Sequence, residues 1–108
     1  MKIWTRVFAA LLVTGSAQVN AESRSGYVYR LYADPTDVVI VLKDNNKVNV
    51  NGECGSNFYH ISRSAVNFSE FYSLVLSAAA ARKPVYLEVG SCSGQRNILT
   101  HGSVQFSD

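Results

Sequence analysis

The chain lacks an apolar run long enough to cross a bilayer. The longest, Val7–Val13, falls far short of the roughly 20 residues a transmembrane helix needs. That argues against a retained membrane anchor, and no Cys directly follows the run to carry a lipid. Catalytic signatures are missing too. There is no Gly-x-Ser-x-Gly elbow, no glycine-rich phosphate loop and no Cys-x-x-Cys pair for thiol redox chemistry. His60 and His101 are the sole candidates for a base near neutral pH. Ser91 or Ser93 can be drawn beside His101 as nucleophile and base, but no spacing supports that. The carboxylates are scattered, and their closest pair, Asp34 and Asp37, reads as part of a turn. Neither a glycosidase pair nor a calcium loop is visible. Ten Lys and Arg stand against eight Asp and Glu. Lys2 and Arg6 belong to the N-terminal segment, so residues 22–108 carry eight of each sign. A basic footprint for nucleic acid is therefore absent. These absences point to a protein that is not an enzyme and needs no cofactor.

What is present begins with an export signal. Lys2 and Arg6 supply a positive start, Val7–Val13 an apolar centre, and Val19-Asn20-Ala21 small residues at the −3 and −1 positions of a cleavage site. Cleavage after Ala21 leaves one small domain, residues 22–108, in the periplasm or outside the cell, with no membrane anchor. The alternative is an uncleaved N-terminal helix. A domain of this size buries only about 60 to 65% of its unfolded surface, so it gains from a covalent staple or from oligomerisation. Cys54 and Cys92 offer the staple. An even cysteine count in a small exported domain reads as a disulfide. Closing a loop of about forty residues stabilises by roughly 4 kcal/mol in the chain-entropy model. The alternative is zinc held by Cys54, His60, Cys92 and His101, but these spacings match no known zinc pattern.

Hydrophobic patterning predicts five strands and one helix. Ser23–Gly26 is a polar lead-in, and Tyr27–Tyr32 reads as strand one. Ala33–Asp37 is a turn around Pro35. Val38–Leu42 is continuously apolar, which predicts a second strand buried on both faces, covered outside by a helix or a neighbouring subunit. Asp44–Lys47 is a turn, and Lys47–Asn51 alternates as a half-exposed strand or hairpin extension. Asn57–Ser62 reads as strand three. Val85–Val89 alternates with Val85, Leu87 and Val89 on one face. Gly90–Arg96 reads as a polar loop holding Cys92. Ile98–Phe106 is the last strand, with Gly102 a bulge or a point of close approach.

The helix between strands three and four starts at Asn67, a capping residue with Glu70 three positions on, in the pattern of a capping box. Phe68, Phe71, Tyr72, Val75 and Ala79 recur at helical spacing. Lys83-Pro84 ends the run, because proline disfavours α geometry in the residue before it. Ser69, Ser73 and Ser77 form a stripe of small residues four apart, continued by Ala81. The stripe reads either as a weakly polar solvent face or as a contact where backbones of neighbouring subunits approach closely.

Strand, strand, strand, helix, strand, strand is the order of an OB-fold, a mainly β five-stranded barrel with one α-helix. The passages Ser25-Gly26-Tyr27-Val28, Phe71-Tyr72-Ser73-Leu74 and Lys83-Pro84-Val85-Tyr86-Leu87 resemble the B subunits of subtilase-cytotoxin-type bacterial toxins and their small exported relatives. The resemblance implies an OB-fold that assembles as a pentameric ring with helices lining a central pore. It also implies glycan binding on the outside, alongside a separate A-chain-like protein. Ser25 matches the serine that sugar-binding relatives use, and Tyr27 follows it. Where those relatives have an aromatic late in the strand after the helix, this chain places Val89. A different expectation is a monomeric periplasmic inhibitor or accessory protein that binds a protein partner.

Overall fold

The computed structural model describes residues 22–107. The expected export signal, residues 1–21, lies outside the described residues. The elements run β1 (Glu22–Ala33), β2 (Asp37–Lys43), β3 (Phe58–Ser62), α1 (Phe68–Ala81), β4 (Val85–Ser93) and β5 (Arg96–Val104). The five strands form one sheet whose pairing closes into a ring in the order β1-β2-β3-β5-β4, with β4 returning to β1. Every pairing is antiparallel except β3 with β5. The closure is partial along β1, whose first half pairs only with β4 and whose second half pairs only with β2. Among the described residues no helix is long and apolar enough to cross a membrane.

Strand β1 is longer than its composition suggests. Ser23–Gly26 is not a lead-in but pairs with β4, Ser25 opposite Tyr86 and Gly26 opposite Val85. From Tyr27 onward the same strand pairs with β2. A strand that serves two neighbours must bend, and a register shift between Val28 and Arg30 supplies the bend by leaving Tyr29 without a partner. Polarity hid this segment: its side chains alternate outward, and backbone pairing has no compositional signature.

Val38–Leu42 is buried throughout. Val38, Ile40 and Leu42 point into the core. Val39 and Val41 take the outer face, where neither a helix nor a subunit is needed to explain their cover. Val39 lies between Tyr32 and His60 in register, and Val41 between Arg30 and Phe58. Helix α1 closes the core with Phe71, Val75 and Ala78. Gly102 is the point of close approach, since a Cβ there would stand 2.9 Å from Phe71 Cε1 and 2.7 Å from the Tyr86 carbonyl.

Three local expectations are corrected. Asn67 does begin the helix, but its side chain makes no cap. Its amide instead donates to the Thr100 carbonyl at 3.1 Å, tying the helix start to β5. Lys47–Asn51 forms only an isolated bridge, Asn49 to Lys43. Gly90–Arg96 is largely not a loop, because β4 and β5 continue as a hairpin turning at Gly94-Gln95, and Cys92 pairs with Asn97.

Cys54 and Cys92 form a disulfide with a Cα separation of 5.5 Å. Asn97 lies beside it, fully buried. Its Nδ2 donates to the Ser56 and Phe58 carbonyls, both at 2.9 Å. Its Oδ1 accepts from the Cys54 N–H at 3.2 Å. Gly52 accommodates this network, for a Cβ there would stand 2.2 Å from Asn97 Oδ1. Asn97→Ala removes all three bonds, leaving the Ser56 carbonyl only its bond from the Gly52 N–H at 2.9 Å, and should destabilise by about 2–4 kcal/mol. The Cys54→Ser, Cys92→Ser double variant should lose roughly 2–4 kcal/mol. Urea unfolding measures both. A loss under about 1 kcal/mol for Asn97→Ala would show that water replaces its bonds.

Candidate functional site

Inward and outward residues alternate along β1. Gly26 is buried, and a Cβ on it would press within 3.2 Å of Val50 Cγ2. Ser25 and Tyr27 therefore face outward, Ser25 exposed and Tyr27 half-buried. Tyr86, 41% exposed, lies opposite Ser25 on β4. On the same face Ser23 Oγ donates to Glu88 Oε2. Val89 belongs to the core cluster and is 3% exposed. It therefore cannot be the surface position facing a sugar; the outward aromatic of β4 is Tyr86.

Tyr27 opens into a cleft of about 660 Å³ between the bend of β1, the turn after β2 and the end of α1. Tyr29, Lys43, Lys47, Arg82 and Lys83 line it, with Asp44 the only acidic residue. Lys43 Nζ lies 4.1 Å over the Tyr29 ring, a cation–π contact that holds an ammonium at the wall. The turn is built by Asp44, whose Oδ1 accepts from the N–H groups of Asn46 at 2.8 Å and Val48 at 2.9 Å. This presents Lys47 at φ 65°. The helix end is built by a left-handed cap at Arg82, φ 57°, whose N–H reaches the Ala78 and Ala79 carbonyls. Left-handed geometry costs a residue with a Cβ about 1–2 kcal/mol. Among the described residues Lys47 and Arg82 are the only non-glycine residues that adopt it. Both are basic, and both line this cleft. A cationic, tyrosine-walled hollow suits an anionic ligand that also offers a flat face for stacking.

The tyrosines divide by position. Tyr59 is core, with its hydroxyl donating to the Val50 carbonyl at 2.8 Å. Tyr72 stacks on Phe68 at 5.7 Å. Tyr27, Tyr29, Tyr32 and Tyr86 remain accessible in whole or part. Ser69, Ser73 and Ser77 are exposed on α1, on the side away from its buried residues, with Leu76 44% exposed among them. Ser77 Oγ donates to the Ser73 carbonyl at 2.9 Å.

The disulfide removes both thiols as zinc ligands. Among the described residues no group of three or more His, Cys, Asp or Glu could hold a metal ion. His101 stands opposite Glu88 in register and Ser91 opposite Ile98, so the drawn nucleophile and base do not face each other. His60 is different. It lies on the outer face of β3 yet is 5% exposed, and its Nδ1 is 2.9 Å from Asp37 Oδ2. Burial pushes the Asp37 carboxyl up. The hydrogen bonds from His60 and Thr36, with the charges of His60 and Arg96, more than offset this and hold it below its ordinary 3.8. The sequence offered no signal for this pair, which needs the β2–β3 register to meet.

Comparisons with protein-family profiles, with curated proteins and with solved structures return no match.

The depressed Asp37 carboxyl has a consequence for acid stability. A group whose folded pKa lies below its unfolded value stabilises above the unfolded value, and that contribution is lost as pH falls through the folded one. Asp37→Asn should therefore cost stability at pH about 6 and little at pH about 2, flattening the acid limb of the stability curve. Urea midpoints across that range measure it. An equal deficit at both ends would assign the effect to packing instead.

Proposed function

We propose that this chain is a non-enzymatic exported binding protein of the toxin-B-subunit type, with an OB-fold, which assembles as a homo-oligomeric ring and recognises an acidic glycan. The observation that carries the reading is the placement of Lys47 and Arg82, the two strained basic residues, around one tyrosine-lined cleft next to Ser25 and Tyr27. Strain kept at a cationic position is explained by what the charge binds, since Gly would be less costly there. Strand order supports the OB-fold: a closed five-strand ring, parallel only between β3 and β5, with the helix between β3 and β4. Ser25 and Tyr86 extend the surface from the cleft along β1 and β4, giving a hydroxyl and an aromatic face beyond the charges. The sugar carboxylate or sulfate takes the basic cleft, and the ring behind it stacks on tyrosine.

The outer face of the helix supports the assembly reading. Ser69, Ser73 and Ser77, with Leu76, give α1 an outer face with small side chains and an exposed apolar one. That face lets a second helix approach closely, and a ring of five copies would set these helices around its axis.

On an array of sialylated, sulfated and uronate glycans, wild-type protein should bind acidic members over neutral ones. Arg82→Gly should stabilise the fold by up to about 1 kcal/mol while weakening that binding, because it relieves strain and removes charge. Ser25→Ala should lower affinity about 10- to 100-fold, the cost of a hydrogen bond to a charged group. No acidic hit for the wild-type protein removes the glycan reading. For assembly, light scattering after size-exclusion chromatography should find an oligomer that Ser73→Arg shifts toward monomer, since burying an unpaired charge costs several kcal/mol. A wild type that is monomeric at tens of micromolar, roughly where weak assemblies dissociate, removes the ring.

A further inference from the structure

A second cleft, of about 500 Å³, opens at the far end of β1 from the first. Tyr32 and Phe58 form apolar walls, Asp34 and Arg96 stand at its rim, and His60 lines it. Its frame is held in place from behind. The segment bearing Ser56 and the hairpin bearing Ser93–Arg96 are joined by the disulfide, by the three hydrogen bonds of Asn97, and by Ser56 Oγ donating to the Gln95 carbonyl at 2.6 Å. A cleft whose walls are fixed before binding loses little entropy when it is filled.

One buried polar atom among those that line it lacks a partner. Asp37 Oδ2 engages His60 Nδ1 at 2.9 Å, so that ring nitrogen is already committed. Nε2 sits on a ring about 95% buried, and among the described residues it has no hydrogen-bond partner. A buried polar nitrogen left without a partner is costly. The Asp34 carboxylate and the Arg96 guanidinium also make no hydrogen bond among the described residues. One face of Tyr32 is taken by Arg30, whose guanidinium carbon is 5.2 Å from the ring centre. The ring also lines the cleft.

We propose that this cleft is a second binding site, for an uncharged saccharide ring. Asp34 accepts, Arg96 donates, and the free His60 Nε2 takes a further hydroxyl. A hydroxyl both donates and accepts, so a ring bearing several of them satisfies both kinds of partner. Tyr32 and Phe58 then take the C–H face of the ring. The first cleft, with its excess of basic residues, selects charge; this one, with charges of both signs at its rim, selects hydroxyl pattern.

The test is nuclear magnetic resonance on the intact oxidised chain, titrated with glucose, galactose, mannose, N-acetylglucosamine and their disaccharides. No acidic sugar is included, so failure of the first cleft does not affect the outcome. At least one sugar should shift the Tyr32 ring, the Arg96 Nε–H and the His60 Nε2 signals together, with a dissociation constant of roughly 0.1 to 10 mM. The Nε2 shift is the reading a merely structural histidine would not give. Arg96→Ala, at an exposed hairpin position, should keep the far-ultraviolet circular dichroism spectrum and weaken binding about tenfold. His60→Gln should abolish it; if that variant does not fold, Arg96→Ala and the Nε2 signal decide. No shift with any sugar overturns the proposal. So does binding unchanged in Arg96→Ala, or an acetylated trialanine peptide that moves these signals where no sugar does.

Discussion

Asn97 holds the sheet together at the one seam where its strands run parallel. It pairs with Tyr59 across β3 and with Cys92 across β4, and its side chain ties the segment from Cys54 to Phe58 to that junction. Parallel pairing requires a long connection, and a long connection brings loop backbone into the interior, where its polar groups need partners. Asn97 supplies three of them. A hydrophobic residue of the same size would make none of these three bonds. The disulfide adds a covalent tie at the same place, so the ring closes without relying on the modest core alone. Gly52 and the hairpin that ends at Gly94 are shaped around this point.

The same seam divides the surface. On one side the bend of β1 turns Tyr29 outward and brings Tyr27 to the helix end, where left-handed caps aim Lys47 and Arg82 into a common hollow. On the other, the anchored loop and hairpin enclose His60 with its Asp37 partner. The two hollows differ in charge because they draw on different turns. Lysines and arginines dominate the first, while the second mixes one of each sign. A chain whose net charge is small can still carry a strongly cationic site, because the fold sorts charges that the composition averages.

The order of elements, the helix and the disulfide were legible in the residues. Val38–Leu42 was apolar enough to demand a fully covered strand, the helical spacing of Phe68 to Ala79 needed one buried face, and two cysteines in a small domain had a simple use. These signals are local: they depend on neighbours within a few residues, or on a count. Ser23–Gly26 and Cys92 were misplaced in loops because polar outward residues look alike in a strand and in a loop. The side chain of Asn67 turned from the expected cap to Thr100 because a tertiary partner competed for it.

The sequence by itself determined what must be buried and what must be joined. Apolar periodicity, proline and cysteine act through short-range chemistry that any fold of this chain has to respect. Only the tertiary structure decided which polar groups meet. Asn97 with Ser56, His60 with Asp37, and Lys47 with Arg82 are each separated by more than twenty residues, and strand register rather than spacing sets their distances. Hydrogen bonds and charges act over a few ångströms, so their partners stay hidden until the ring of strands has closed.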